Sequence, residues 1–153
     1  MNAICLIDTS IFLEILSVPA KASHHRQVLD ELETKIQKRE TLFLPMATIL
    51  ETGNHIAQNG NGSQRRKCAN DFVLQVQKAL KGESPFRPIS FLNEDQLLQW
   101  LDEFPESAMR GSGLGDLSII HDFDRLCQQN QRRRVYIWSL DGHLSSFNQK
   151  ARI

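Results

Sequence analysis

The sequence predicts an α/β fold on a mainly parallel sheet, and three observations carry that prediction. Short continuous apolar runs at 3–7, 42–44 and 135–138 have the pattern of strands buried on both faces. Between them lie longer segments whose apolar residues recur at helical spacing. Parallel neighbours need crossover connections long enough to hold a helix, so the alternation itself implies the sheet.

The first run ends in Asp8-Thr9-Ser10, a polar turn that puts Asp8 at the C-terminal end of the first strand. Residues 11–16 open a helix with Thr9 or Ser10 as its cap, and Pro19 limits its length. From Ser23 onward, Val28, Leu29, Leu32 and Ile36 recur among charged residues and predict an amphipathic surface helix over 26–39. The strand at 42–44 is stopped by Pro45, and a helix over 48–57 aligns Ile49, Gly53 and Ile56 and carries Glu51. NGNGS at 59–63 breaks the chain, after which Ser63 is the expected cap of a long helix. Its stripe is Ala69, Phe72, Val73, Val76 and Leu80, and it stops at Gly82. A short strand over 88–92 follows, and Asn93 caps a helix through Phe104 with Leu97, Leu98, Leu101 and Phe104 facing inward. Residues 105–115 show no period and end in GSGLG, which predicts a loop that delivers Asp116 to a helix start. Leu117, Ile120, Phe123, Leu126 and Cys127 mark that helix, and the strand at 135–138 ends in the turn Ser139-Leu140-Asp141-Gly142. No repeat or linker divides the chain, so a single domain over 1–153 is expected.

Composition excludes several classes. The 153 residues suffice to bury roughly 70% of the surface exposed by the unfolded chain. The apolar runs fall far short of the roughly 20 residues that span a bilayer, and no membrane association is expected. The N-terminal run has no Lys or Arg before it and contains Asp8 and Glu14, which argues against a secretory leader and for a cytoplasmic protein. Eighteen basic residues balance eighteen acidic ones, so any nucleic-acid contact must use local patches. Cys5, Cys68 and Cys127 are few, dispersed and set in apolar or helical segments, the pattern of buried thiols. HExxH, GxSxG, GxGxxG and P-loop spacings are all missing, which disfavours zinc hydrolases, serine hydrolases and nucleotide binding through those motifs.

The remaining chemistry lies in acids. Asp8 and Asp141 each follow a predicted parallel strand, and ligands of open parallel sheets bind beyond the carboxyl ends of the strands. Asp116, at a helix start after glycines, can join them, and Glu51 stands among apolar residues of its helix. Carboxylates converging in one cleft repel unless protons or cations intervene, and hard oxygen donors select Mg²⁺ or Mn²⁺. An Asp at a strand end or helix start also serves as a plain cap, the alternative for Asp116 in particular.

LIDTSIFLE, PMATILETGNHI, GLGDLSIIHDF and VYIWSLDGHLSSF, taken together, resemble the PIN-domain family, which includes VapC-type toxins, and the resemblance runs nearly end to end. It implies a three-layer α/β/α sandwich with a central, mainly parallel sheet, and a divalent-metal-dependent endoribonuclease, expected to use Mg²⁺ or Mn²⁺. It assigns Asp8, Glu51, Asp116 and Asp141 to catalysis, with Asp8, Asp116 and Asp141 on the metal and Ser10 and Ser139 orienting the carboxylates. The toxin of a toxin–antitoxin pair, with an antitoxin protein as partner, RNA as substrate and a homodimer as assembly, is the corresponding expectation. The helices at 26–39 and 63–80 offer candidate dimer surfaces. Arg65, Arg66, Lys67, Arg132, Arg133 and Arg134, with Lys150 and Arg152, are the candidate phosphate contacts. The alternative is a catalytically inactive PIN fold acting as a binding or regulatory protein. A haloacid-dehalogenase-like phosphatase requires a second Asp where this chain has Ser10.

Overall fold

The computed structural model describes residues 1–89 and 93–153, and among them it contains five strands and seven helices. The chain runs β1 (Ile4–Ile7), α1 (Thr9–Ile15), α2 (His25–Gln37), β2 (Thr41–Leu44), α3 (Met46–Gln58) and α4 (Gly62–Leu80). It continues through β3 (Phe86–Pro88), α5 (Glu94–Met109), α6 (Leu114–Gln129), β4 (Val135–Trp138), α7 (Gly142–Ser145) and β5 (Asn148–Gln149). The sheet order is β3-β2-β1-β4-β5, parallel except for β5 against β4. From β1 the chain builds the sheet outward through β2 and β3, then returns to place β4 on the other side of β1. The order therefore reverses between β1 and β4, and a crevice opens beyond their carboxyl ends.

Period-2 alternation splits each strand between two cores, which is why the strands read as unbroken apolar runs. Cys5 and Ile7 of β1, with Leu42, Leu44, Tyr136 and Trp138, pack under Ile11, Phe12, Val28 and Ala79 of α1, α2 and α4. Ile4 and Leu6, with Val135 and Ile137, pack against Ile119, Phe123, Leu126 and Cys127 of α6 and Leu144 of α7. Helices thus cover both faces of the sheet, an arrangement compatible with three layers. All three cysteines are buried free thiols.

Several local expectations need correction. Asp8, and neither Thr9 nor Ser10, holds the N-cap position of α1, and its side chain makes no capping bond. The cap of α4 is Asn61, whose side chain accepts from Gln64 N while Gln64 reaches back to the Asn61 amide. A reciprocal pair uses two otherwise orphaned donors, where Ser63 alone would satisfy one. The expected strand at 88–92 falls largely on 90–92, outside the described residues, and the strand found nearby is Phe86–Pro88.

The largest difference lies at 105–115. Pro105 stands inside α5, which continues to Met109 before Gly111, at φ +82°, ends it. The last turn is held by the Ser112 amide donating to Ser107 O and the Ser107 hydroxyl donating to Ser112 O, so a local closing motif offsets the lost Pro105 donor. Leu97, Leu98 and Leu101, expected inside, are exposed, because the side of α5 that packs on α6 is the one carrying Trp100. Leu29, Ile36, Val73 and Leu80 are likewise exposed.

Candidate functional site: an acidic cleft at the sheet's carboxyl ends

Asp8 enters the site on β1, the central strand. Its amide donates to Trp138 O of β4, and its own carbonyl accepts from Ile11 N and Phe12 N, so strand end and helix start fix its backbone. Its Oδ2 accepts from the Ser10 hydroxyl at 2.9 Å and from the Ser139 hydroxyl at 2.7 Å. Those hydroxyls accept in turn from Leu140 N and Asp141 N, both at 3.0 Å. Each serine has one proton and each spends it on Asp8, so the 3.3 Å approach of the two hydroxyl oxygens is contact, with no proton left for a bond. The network ties the β1 turn to the β4 turn and leaves Asp8 Oδ1 without a protein donor among the described residues.

Asp141 caps the short α7 through Oδ1, which accepts from His143 N at 2.9 Å, and keeps its other oxygen free of that bond. Glu51 projects from α3, and its Oε2 accepts from the Thr9 hydroxyl at 3.1 Å. Its carboxylate occupies the place that a Cβ on Gly115 would take. Glycine at 115 is thus a steric requirement for the position of Glu51, and the three glycines of the predicted loop have three separate jobs. Gly111 ends α5 in the left-handed region, Gly113 is the N-cap of α6, and Gly115 makes room for a carboxylate. Asp116 stands in the first turn of α6.

Asp8, Glu51, Asp116 and Asp141 line one open cleft of about 340 Å³, together with Thr9, Ser10 and Leu140. Burial pushes the Asp116 carboxyl above the usual aspartate range, and the charges of Asp8 and Asp141 push it further, while the Gly113 amide and His143 oppose them. Burial likewise raises Glu51, with Asp116 and Asp8 adding to the rise, and the Thr9 hydroxyl and His55 acting against it. Burial and neighbouring carboxylate charge together disfavour ionisation of Asp116 and Glu51.

The donor set is all carboxylate oxygen, which fits a hard divalent cation. Among the described residues no three carboxylate, imidazole or thiol groups converge closely enough to enclose an ion. A divalent cation placed there would have to keep several of its waters and take few protein ligands directly. Asp8, Asp116 and Asp141 surround that space, and Glu51 closes one side.

Other expected residues lie elsewhere. Arg132, Arg133 and Arg134 precede β4, at the end of the sheet opposite the cleft, and a four-residue strand separates the ends by about 13 Å. Arg133 donates to Asn2 O, Ala3 O and the Thr41 hydroxyl, and Arg134 donates to Asn148 and lies 4.1 Å over the Tyr136 ring. Both guanidiniums bond within the fold. Arg65 holds Gly60 O, Lys67 pairs with Asp71 at 3.0 Å, and neither they nor Arg66 line the cleft.

The cleft also contains residues that were not selected from the sequence: Lys21, His24, His55 and Glu14. Glu14 is fully buried and accepts from Ser23 N and His24 N, both at 3.0 Å, which draws the loop between α1 and α2 over the site. Lys21 arrives on that loop and lines the cleft with a long-stemmed cation. Loop residues carry no period, so only an acid inside an apolar run, Glu14, was a signal. No family model, no curated protein and no solved structure matches this chain, so the cleft itself carries the functional argument.

Proposed function

We propose that the chain is a divalent-metal-dependent endoribonuclease of PIN type, with the acidic cleft as its active site. The observation that carries the proposal is the gathering of Asp8, Glu51, Asp116 and Asp141 around one cleft with two of them held above their ordinary pKa by burial and by the others' charge. The strand order 3-2-1-4-5, with acids following β1 and β4, supports the same reading.

In this proposal Asp8, Asp116 and Asp141 hold the cation, directly or through its waters. A bound Mg²⁺ or Mn²⁺ supplies Lewis-acid charge to the scissile phosphate and lowers the pKa of a water. Ser10 and Ser139 occupy Asp8 Oδ2 and so aim Oδ1 at the cleft. Glu51, held by Thr9 and seated on Gly115, orients the attacking water and takes its proton, a role that its raised pKa suits. Lys21 attracts the phosphate into a cleft that would otherwise repel it. A cytoplasmic toxin partnered by an antitoxin, with a peptide Arg set against the carboxylates, and a homodimer belong to the same proposal.

The test incubates the purified protein and Asp8→Asn with labelled RNAs and single-stranded DNAs in Mg²⁺, in Mn²⁺ and in EDTA. Cutting by the wild type that disappears in EDTA and falls about 10²–10⁴-fold in the variant is expected. Folded, partner-free protein that cuts nothing would instead favour a binding or regulatory role.

A further inference from the structure

A second, apolar pocket of about 240 Å³ adjoins the acidic cleft, between α3, α5 and the start of α6. Met46, Leu50, Leu97, Trp100 and Leu114 form its apolar lining. Glu51 and Gly115 line it too, and Glu51 is at the same time a wall of the cleft, so one carboxylate divides the two spaces. Ser118 lines it as well: this residue is 7% exposed, and its hydroxyl has no hydrogen-bond partner among the described residues. A serine inside a helix commonly bonds the carbonyl one turn back, so an unpartnered hydroxyl at the pocket wall is an open donor and acceptor. Trp100 is held from behind by His121, with ring centroids 5.9 Å apart, and His121 Nε2 is fixed by Glu103 at 2.6 Å.

We propose that this pocket receives the base of the nucleotide next to the phosphate in the cleft, and thereby sets the base preference of the cut. The proposal rests on the nuclease reading of the cleft and deepens it. The volume lies below the roughly 300–1,000 Å³ of pockets for drug-sized ligands, which suits one planar ring system. Apolar side chains take the faces of the base, the fixed indole offers an aromatic contact, and the Ser118 hydroxyl bonds its edge. A base seated here has its sugar and phosphate directed past Glu51, which is where the acids lie.

The experiment has two arms. In one, the wild type, Ser118→Ala, Leu50→Asp and Leu98→Asp cut a randomised single-stranded pool in Mg²⁺, and fragment ends are sequenced. In the other, the four nucleoside 5′-monophosphates are titrated in EDTA against the same proteins, followed by tryptophan fluorescence, with size-exclusion chromatography run alongside. Leu50 and Leu98 are both 60% exposed, and Leu98 lies outside the pocket lining, so it controls for added surface charge. The expected result is a wild-type preference of about tenfold for one base at one flank of the cut. Ser118→Ala and Leu50→Asp flatten it, and Leu98→Asp keeps it. A preference unchanged in both pocket variants overturns the subsite and leaves the nuclease standing. Nucleotide binding that Leu50→Asp abolishes, in a protein that cuts nothing, keeps the base site and removes the nuclease. Neither binding nor cutting removes both. A dimer that Leu50→Asp dissociates with base preference intact assigns the pocket to a second copy of the chain and overturns the proposal.

Discussion

At the N-terminal end of the sheet, Arg133 satisfies two main-chain carbonyls and a threonine hydroxyl, and the Tyr136 hydroxyl donates to Glu40 at 2.8 Å. Lys35 lies 5.0 Å over the Tyr136 ring and, farther along β4, 4.6 Å over the ring of Trp138, whose indole donates to Glu31 at 3.0 Å. At the C-terminal end four carboxylates share a cleft, and burial with mutual repulsion raises two of them. One end spends its guanidiniums on polar groups of the fold, and the other gathers charges that the fold would hold more easily without. Incomplete polar satisfaction is where natural structures depart from their own rules for the sake of function. The comparison also separates basic residues by place: Arg133 and Arg134 bond within the fold at the far end of the sheet, and Lys21, a lone loop residue, lines the cleft.

The largest expected effect comes from breaking the cleft sterically. Gly115→Ala places a methyl group where the Glu51 carboxylate lies, and because that carboxylate is the free end of a flexible side chain, it swings away at little cost in stability. Cleavage falls about 10²-fold, the scale of a displaced catalytic group, with Tm nearly unchanged. In a Glu51→Ala background the same change has no further effect on rate, which a double-mutant cycle of initial rates checks.

The opposite end responds in stability alone. Arg133→Ala removes the side-chain donor of the Asn2 carbonyl and the Thr41 hydroxyl, while Ala3 O keeps the Thr41 amide, costing about 0.5–1.5 kcal/mol, and lowers Tm by roughly 2–4 °C per kcal/mol for a chain of this size. Calorimetry reads the loss, and the cleavage rate per folded molecule is unaltered.

A smaller effect sharpens the contrast through pH. Below the ordinary aspartate value of 3.8, Asp116 is protonated in both the folded and the unfolded chain and has no effect on stability. As pH rises above 3.8 the unfolded chain ionises first, the folded chain resists, and stability is lost until the raised folded pKa is passed. Asp116→Asn escapes that loss, so its Tm exceeds that of the wild type at neutral pH and converges with it below 3.8. Excess Mg²⁺ raises the wild-type Tm at neutral pH and narrows the difference, because a ligand of the native state stabilises it.

The smallest effect is a rate. Burial pushes the Cys5 thiol up to about 12 and the Cys127 thiol up to about 11, and Cys68 is buried as well. Thiolate is the reactive form, so titration with a disulfide reagent in native buffer is expected to proceed at the rate of unfolding, with all three thiols reacting together in denaturant.

Much of the fold was legible because apolar runs and helical periods are local consequences of burial. β1, β2 and β4 match their predicted runs closely, and α3 and α6 carry Glu51 and Asp116 where the spacing put them. The end of α5 was not legible. Pro105 is a stop signal by local rules, and the helix passes it because Ser107, buried against α6, and Gly111 build a closing turn four residues later. The inward face of α5 was misread for a related reason: its leucines keep helical spacing, yet only one side of the helix meets a neighbour, and Trp100 occupies that side.

The sequence by itself determined the alternation of strands and helices, the parallel sheet that follows from it, and the acids that close β1 and β4. Those are properties of a residue and its near neighbours. Tertiary structure decided that Gly115 makes room for Glu51, that the Ser139 hydroxyl meets Asp8 on the same oxygen as the Ser10 hydroxyl, that Lys21 reaches the cleft and that Arg133 does not. Most of those outcomes depend on which element lies beside which, and the contacts of Gly115 with Glu51, Ser139 with Asp8 and Arg133 with Thr41 cross 64 or more residues, a separation that leaves no period in the chain for a local rule to read.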